Sequence, residues 1–209
     1  MNGWLEQTAA YWGAGGPLLA PIALVSLGIW GLFLRSRDVL VRTLRDGAAA
    51  RAVLDSESRG KTAGPLAAAL ESVPGGIAAL VRGAIDDVGR GAAPRAAFAA
   101  RESEALGLLR RDLVVLSALT AVAPLLGLLG TVAGMIHTFD AVAVVGGNTG
   151  ARVAEGVSQA LITTQFGLVV ALPGVFGVSR LQRMLRNVQA VMAECRSHAL
   201  QVLAPAAEG

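Results

Sequence analysis

Three apolar runs without Asp, Glu, Lys or Arg punctuate the chain: Pro17–Leu34 (PLLAPIALVSLGIWGLFL), Leu113–Phe139 and Val157–Val178, of 18, 27 and 22 residues. A bilayer core takes about 20 helical residues, so each run predicts a transmembrane helix. Between the first two, Asp38–Arg59 and Leu66–Val88 alternate Ala and Leu with Arg, Asp and Glu, a helical pattern interrupted by GKTAGP (60–65), PGG (74–76) and GRGAAP (89–94). Pro94 suits the first turn of a helix. From there to Phe139 the only strong breaker is Pro124, so the second span continues a long extramembrane helix. The third does the same, because Leu181, Leu185, Val188, Met192, Cys195, Ala199 and Val202 recur at alternating spacings of four and three, the seam of a helical bundle. The expected fold class is an all-α integral membrane protein with three transmembrane helices, the second and third extended into a cytoplasmic helical bundle.

Composition agrees: 54% hydrophobic, 16% charged and 4% aromatic residues describe helices packed closely through Ala and Gly. The net charge of +3 forms no basic patch interleaved with aromatics, so no nucleic-acid partner is expected. One cysteine excludes an intramolecular disulfide and any CxxC metal site. No GxSxG, HExxH or paired intramembrane carboxylate occurs, and Gly60-Lys61-Thr62 lacks the upstream glycine and strand of a phosphate loop. The chain is therefore read as no enzyme, with no metal and no cofactor.

Of 18 Lys and Arg, only Arg152 lies outside the segments 35–112 and 179–209. The positive-inside rule then places both segments in the cytoplasm. The expected order is a periplasmic segment 1–16, a span 17–34, a cytoplasmic helical region 35–112, a span 113–139, a periplasmic loop 140–156, a span 157–178 and a cytoplasmic C-terminal helix 179–209. Trp4, Tyr11 and Trp12 suit the outer interface. Glu6 is the only charge before Arg35, so the first run does not read as a cleavable signal peptide.

The spans carry polar groups that hydrocarbon does not tolerate unpartnered. In the third, Ala160, Thr164, Gly167, Ala171 and Gly174 form one small-residue stripe, with Gln159 and Thr163 beside it. In the second, Thr120, Gly127, Thr131, Gly134 and Thr138 share one face. Spacing alone leaves two readings open: close helix packing with each Thr bonded to its own helix carbonyl, or a polar lumen. No span contains a carboxylate or a basic side chain, and His137 lies close to the outer boundary with Asp140 and Glu155. A proton path here would need a carboxylate from another protein.

The segments APLLGLLGTVAGMIHTF (123–139) and GVSQALITTQFGLVVALPG (156–174) resemble the two signature helices of the ExbB/TolQ/MotA proton-channel family, AP-x-x-GLxGTVxGMIxxF and GIxEALxTTAxGLxxAIP. Three spans fit the ExbB and TolQ branches. The resemblance implies an inner-membrane, multi-pass subunit that assembles as a homopentamer among membrane lipids. It surrounds an ExbD- or TolR-like single-span partner, whose membrane Asp carries the proton, and proton-motive force drives work on a TonB-like or Tol-like protein. By motif position, Thr131 and Thr164 match the channel threonines and Pro124 and Pro173 the helix prolines. The expected lumen lining is Thr131, Thr164, Gln159, Thr163, Thr120 and Thr138; packing and kink positions are Pro124, Gly127, Gly134, Gly167, Ala171, Pro173 and Gly174. Gln159 stands where ExbB and TolQ commonly have Glu, and Gln165 where a small residue is common. TonB-dependent transport is the expected output. A Tol-type envelope or gliding-motility stator, or a non-conducting scaffold, are the alternatives.

Overall fold

The computed structural model describes residues 17–57, 68, 70–73, 75–145 and 149–203. The expected periplasmic segment 1–16, with Trp4, Tyr11 and Trp12, lies outside them. The described chain is all-helical: α1 (Leu19–Glu57), α2 (Gly76–Gly89), α3 (Pro94–Val145) and α4 (Thr149–Leu203). Three of these helices, α1, α3 and α4, contain stretches long and apolar enough to cross a membrane.

Pro94 is the first residue of α3, where its missing N–H costs nothing. The helices run further than the sequence pattern indicates. The first span continues without a break to Glu57, because no proline follows Pro21 in α1 and a single interior glycine such as Gly47 does not end a helix. Within Leu66–Val88, residues 68, 70 and 71 are helical and α2 starts at Gly76, at the PGG (74–76) interruption, after Gly75 takes φ 129°, a conformation open to glycine. The expected loop 140–156 is helical up to Val145 and again from Thr149, since Ala and Val carry α3 onward until the Gly146–Gly147 pair. Pro124 and Pro173 sit inside α3 and α4 without ending either helix.

The described residues divide into two compact units, one within 17–33 and 114–178, the other within 34–113 and 179–203. In the second unit the 4-3 seam of α4 is buried at every position from Leu181 to Val202, Cys195 included. Phe98, Leu106 and Leu109 of α3, Leu40 and Leu54 of α1, and Ile77, Val81 and Ile85 of α2 complete this core. Gly47 lets three helices meet: a methyl group there would lie 2.7 Å from Ile77 Cδ1 and 2.9 Å from Val191 Cγ1. Ion pairs edge the core. Arg51 meets Glu194 at 2.7 Å, Arg196 meets Glu102 at 2.8 Å and Arg101 grips Asp87 at 2.8 and 3.2 Å. The Arg101 hydrogen bond holds the Asp87 carboxyl below its ordinary value, and Asp87 in turn raises the Arg101 guanidinium.

Candidate functional site

In the first unit, α3 and α4 cross antiparallel along a seam of small residues. Thr120 lies against Gly174, Ala123 and Gly127 against Gly167, Gly134 against Ala160, and Thr138 against Gly156. The backbones touch at the centre. A methyl group at Gly167 would meet Ala123 O at 2.8 Å and Gly127 Cα at 3.1 Å; one at Gly127 would meet Thr163 O and Thr164 Cα, each at 3.1 Å. Such closeness is what small residues permit in a membrane helix pair. Ala171 is buried on the same stripe. Gly130, whose added methyl would strike the Thr163 side chain, and Gly156, opposite Thr138, belong to the seam too. Sequence reading did not single them out, although Gly130 sits one turn from both Gly127 and Gly134.

The geometry separates the six expected lumen residues into two groups. Thr120, Thr138 and Thr163 are buried between the helices, at 5%, 5% and 2% exposure. Each hydroxyl donates within its own helix: Thr120 to Leu116 O at 2.8 Å, Thr138 to Gly134 O at 2.7 Å and Thr163 to Ala160 O at 2.7 Å. In the folded chain these three hydroxyls lie within the seam, each bonded inside its own helix. The cause is their register: each falls at the centre of the stripe, where only a small side chain with a satisfied hydroxyl fits.

Thr131, Thr164 and Gln159 are half-exposed. Thr131 donates to Leu128 O at 2.7 Å. Thr164 donates across the seam to Gly127 O at 3.1 Å, a side-chain bond from α4 to α3 within this unit. The two threonine hydroxyls thus donate to neighbouring carbonyls of α3, Leu128 O and Gly127 O. Both have their single O–H committed and keep oxygen lone pairs free, which makes them acceptors. Gln159 has no hydrogen-bond partner among the described residues. Ser158 and Gln165 are exposed and likewise have none among the described residues. Each interior proline removes an N–H, leaving the carbonyls of Thr120 and Val169 without their usual helix donor. His137, Asp140 and Glu155 are exposed at the ends of the two spans. Within the spans themselves no Asp, Glu, Lys or Arg occurs.

The model of the MotA/TolQ/ExbB proton channel family matches residues 62–194, which includes both helices of this seam. The chain belongs to that family. Among curated relatives, it is 42% identical over 81 residues to a putative ExbB-like 1 biopolymer transport protein of Synechocystis sp., covering 37% of this chain and 32% of the relative. It is 36% identical over 74 residues to the Tol-Pal system protein TolQ of Haemophilus influenzae (35% and 32%), and 32% identical over 85 residues to the biopolymer transport protein ExbB of Salmonella typhimurium (41% and 35%). The chain thus matches about a third of the length of each of these relatives. The ExbB and TolQ names place it on that branch of the family, and with the three apolar helices they make it an inner-membrane protein.

Proposed function

We propose that this chain is the channel subunit of a proton-driven inner-membrane stator, working with a single-span ExbD- or TolR-like partner that supplies a membrane Asp. Relatives named ExbB and TolQ support the class. The observation that carries the mechanism is the pair Thr131 and Thr164: half-exposed, with their O–H groups committed to the adjacent carbonyls Leu128 O and Gly127 O and their lone pairs left to accept, in spans that hold no titratable carboxylate of their own. A protonated carboxylic acid is a hydrogen-bond donor, and a carboxylate is not. Acceptors placed in its path stabilise the protonated form and so favour loading of a partner Asp. Gln159 contributes a polar lining without titrating. The N-terminus lies in the periplasm and the C-terminus in the cytoplasm, and the output is TonB-dependent transport; Tol-type work is the second reading, favoured by the match to TolQ.

Proton flux into liposomes holding the complex purified with its native partners tests this reading. Thr131→Val with Thr164→Val keeps shape and removes both oxygens. The expected outcome is an assembly of normal size whose flux is lost. Wild-type flux from that variant refutes the role of the threonines. An absence of flux from the wild-type complex refutes conduction and leaves a scaffold. Which of a TonB-like or a Tol-like protein co-purifies decides the output.

A further inference from the structure

In the second unit, the positions of one ion pair recur with like charges. Arg51 of α1 meets Glu194 of α4 at 2.7 Å, and a methyl group on Gly47 would lie 2.9 Å from Val191 Cγ1, so α1 and α4 run parallel with these residues level. Arg37 and Arg180 stand 14 residues before Arg51 and Glu194 respectively. That interval is four full turns of a supercoiled helix, or about 40° of drift in a straight one. Arg37 and Arg180 therefore share the flank of the Arg51–Glu194 pair, about 21 Å along the helices. Like charges at facing flank positions of a helix pair repel. Both arginines are exposed and neither has an ion pair among the described residues; the same holds for Arg183, one turn on from Arg180. No nearby carboxylate on either helix relieves them. Asp38 is taken by Arg42 at 2.9 Å, and α4 holds no Asp or Glu between Glu155 and Glu194. Arg37 lies three residues past Leu34, the last of the first apolar run, and Arg180 two past Val178, the last of the third. At about 1.5 Å per residue both stand within about 5 Å of the hydrocarbon edge, at the depth of phospholipid headgroups.

We infer that Arg37, Arg180 and Arg183 form a binding site for the phosphate of an anionic phospholipid. A guanidinium presents a fork of N–H donors that matches phosphate oxygens and keeps its charge at every physiological pH. A phosphate between α1 and α4 replaces the missing carboxylate and turns the repulsion into a bridge between the helices. A zwitterionic lipid is a weaker occupant, because its own ammonium competes for the phosphate; phosphatidylglycerol carries none. Arginine clusters next to a membrane helix attract anionic headgroups in this way. The site differs from a diffuse basic surface in its register. Arg111 also borders an apolar run, yet it points about 160° round α3 from buried Leu113 and takes no part in this flank. The inference rests on the apolar runs being membrane spans and is independent of conduction.

The test uses the full chain in nanodiscs of equal phosphatidylglycerol and phosphatidylcholine, with retained lipid counted by native mass spectrometry. Wild type is expected to retain phosphatidylglycerol in preference. Arg37→Gln with Arg180→Gln is expected to lower that preference about thirtyfold, the product of about fivefold per arginine near an anionic surface. Arg111→Gln is expected to leave it unchanged. In lipid-free detergent the double variant is expected to resist SDS at least as well as wild type, since it loses a repulsion; this separates a lost site from a lost fold. A wild type without the preference overturns the inference and leaves the flank to an acidic protein segment or to water. An equal loss from Arg111→Gln overturns it in favour of diffuse charge. Displacement of phosphatidylglycerol by millimolar inorganic phosphate overturns it in favour of a free anion. The readout is lipid retention, so loss of proton flux would bear on the channel reading and not on this one.

Discussion

Gly167→Ala places one methyl group where α3 and α4 touch, and two opposing effects decide its sign. Alanine inside a helix is favoured over glycine by about 0.5–1 kcal/mol. Against that, the new Cβ would sit 2.8 Å from Ala123 O and 3.1 Å from Gly127 Cα, both backbone atoms that cannot rotate aside. The helices must part by a few tenths of an ångström, and overpacking of this kind costs about 1–3 kcal/mol. Parting also stretches the Thr164 bond to Gly127 O, at 3.1 Å already long for an O–H donor. Its loss removes about 0.6 kcal/mol more, the mean for such bonds between membrane helices. The net expectation is destabilisation of about 1–3 kcal/mol. Gly31→Ala is the matched control: Gly31 lies in the apolar part of α1 with nothing within 4 Å, so only the backbone gain acts and the variant is neutral to stabilised. SDS titration of the purified chain in mild detergent, followed by circular dichroism, reads both. If Gly167→Ala is as stable as Gly31→Ala, the helices are not in backbone contact and the packing account of the seam is wrong.

The Arg101 grip on Asp87 ties α2 to α3 and has a pH signature. The folded carboxyl is held below its ordinary value, so its stabilising contribution is present at neutral pH and is lost as pH falls through the folded value. Asp87→Asn is therefore expected to be less stable than wild type at pH 7, with the gap closing in acid; a gap that widens in acid contradicts the ion pair. For topology, Ser103→Cys is expected to resist a membrane-impermeant thiol reagent in intact spheroplasts and Ala151→Cys to react, both positions being exposed, with the buried Cys195 of the unaltered chain as the background. The reverse pattern inverts the orientation drawn from the basic residues.

Periodicity alone was enough for much of this protein. Three uncharged runs of adequate length identify the membrane-crossing helices, and the 4-3 repeat from Leu181 to Val202 picks out buried residues one by one, since helix period and hydrophobic burial are both local properties of the chain. Periodicity also marks the small-residue stripes of α3 and α4. It cannot say which side of a stripe is covered, and there the tertiary structure decides. Thr120, Thr138 and Thr163 share the composition and spacing of Thr131 and Thr164, yet the first three lie under the opposing helix and the other two at its margin. The difference is a few tens of degrees of rotation about the helix axis, fixed by where the glycines let the two backbones meet. Likewise Thr164 and Gln165 are neighbours in sequence, but only the fold shows the first bonded across the seam and the second turned outward with no partner among the described residues. Exposure and hydrogen-bond partners belong to the packed pair of helices, which is why a single helix pattern leaves them open.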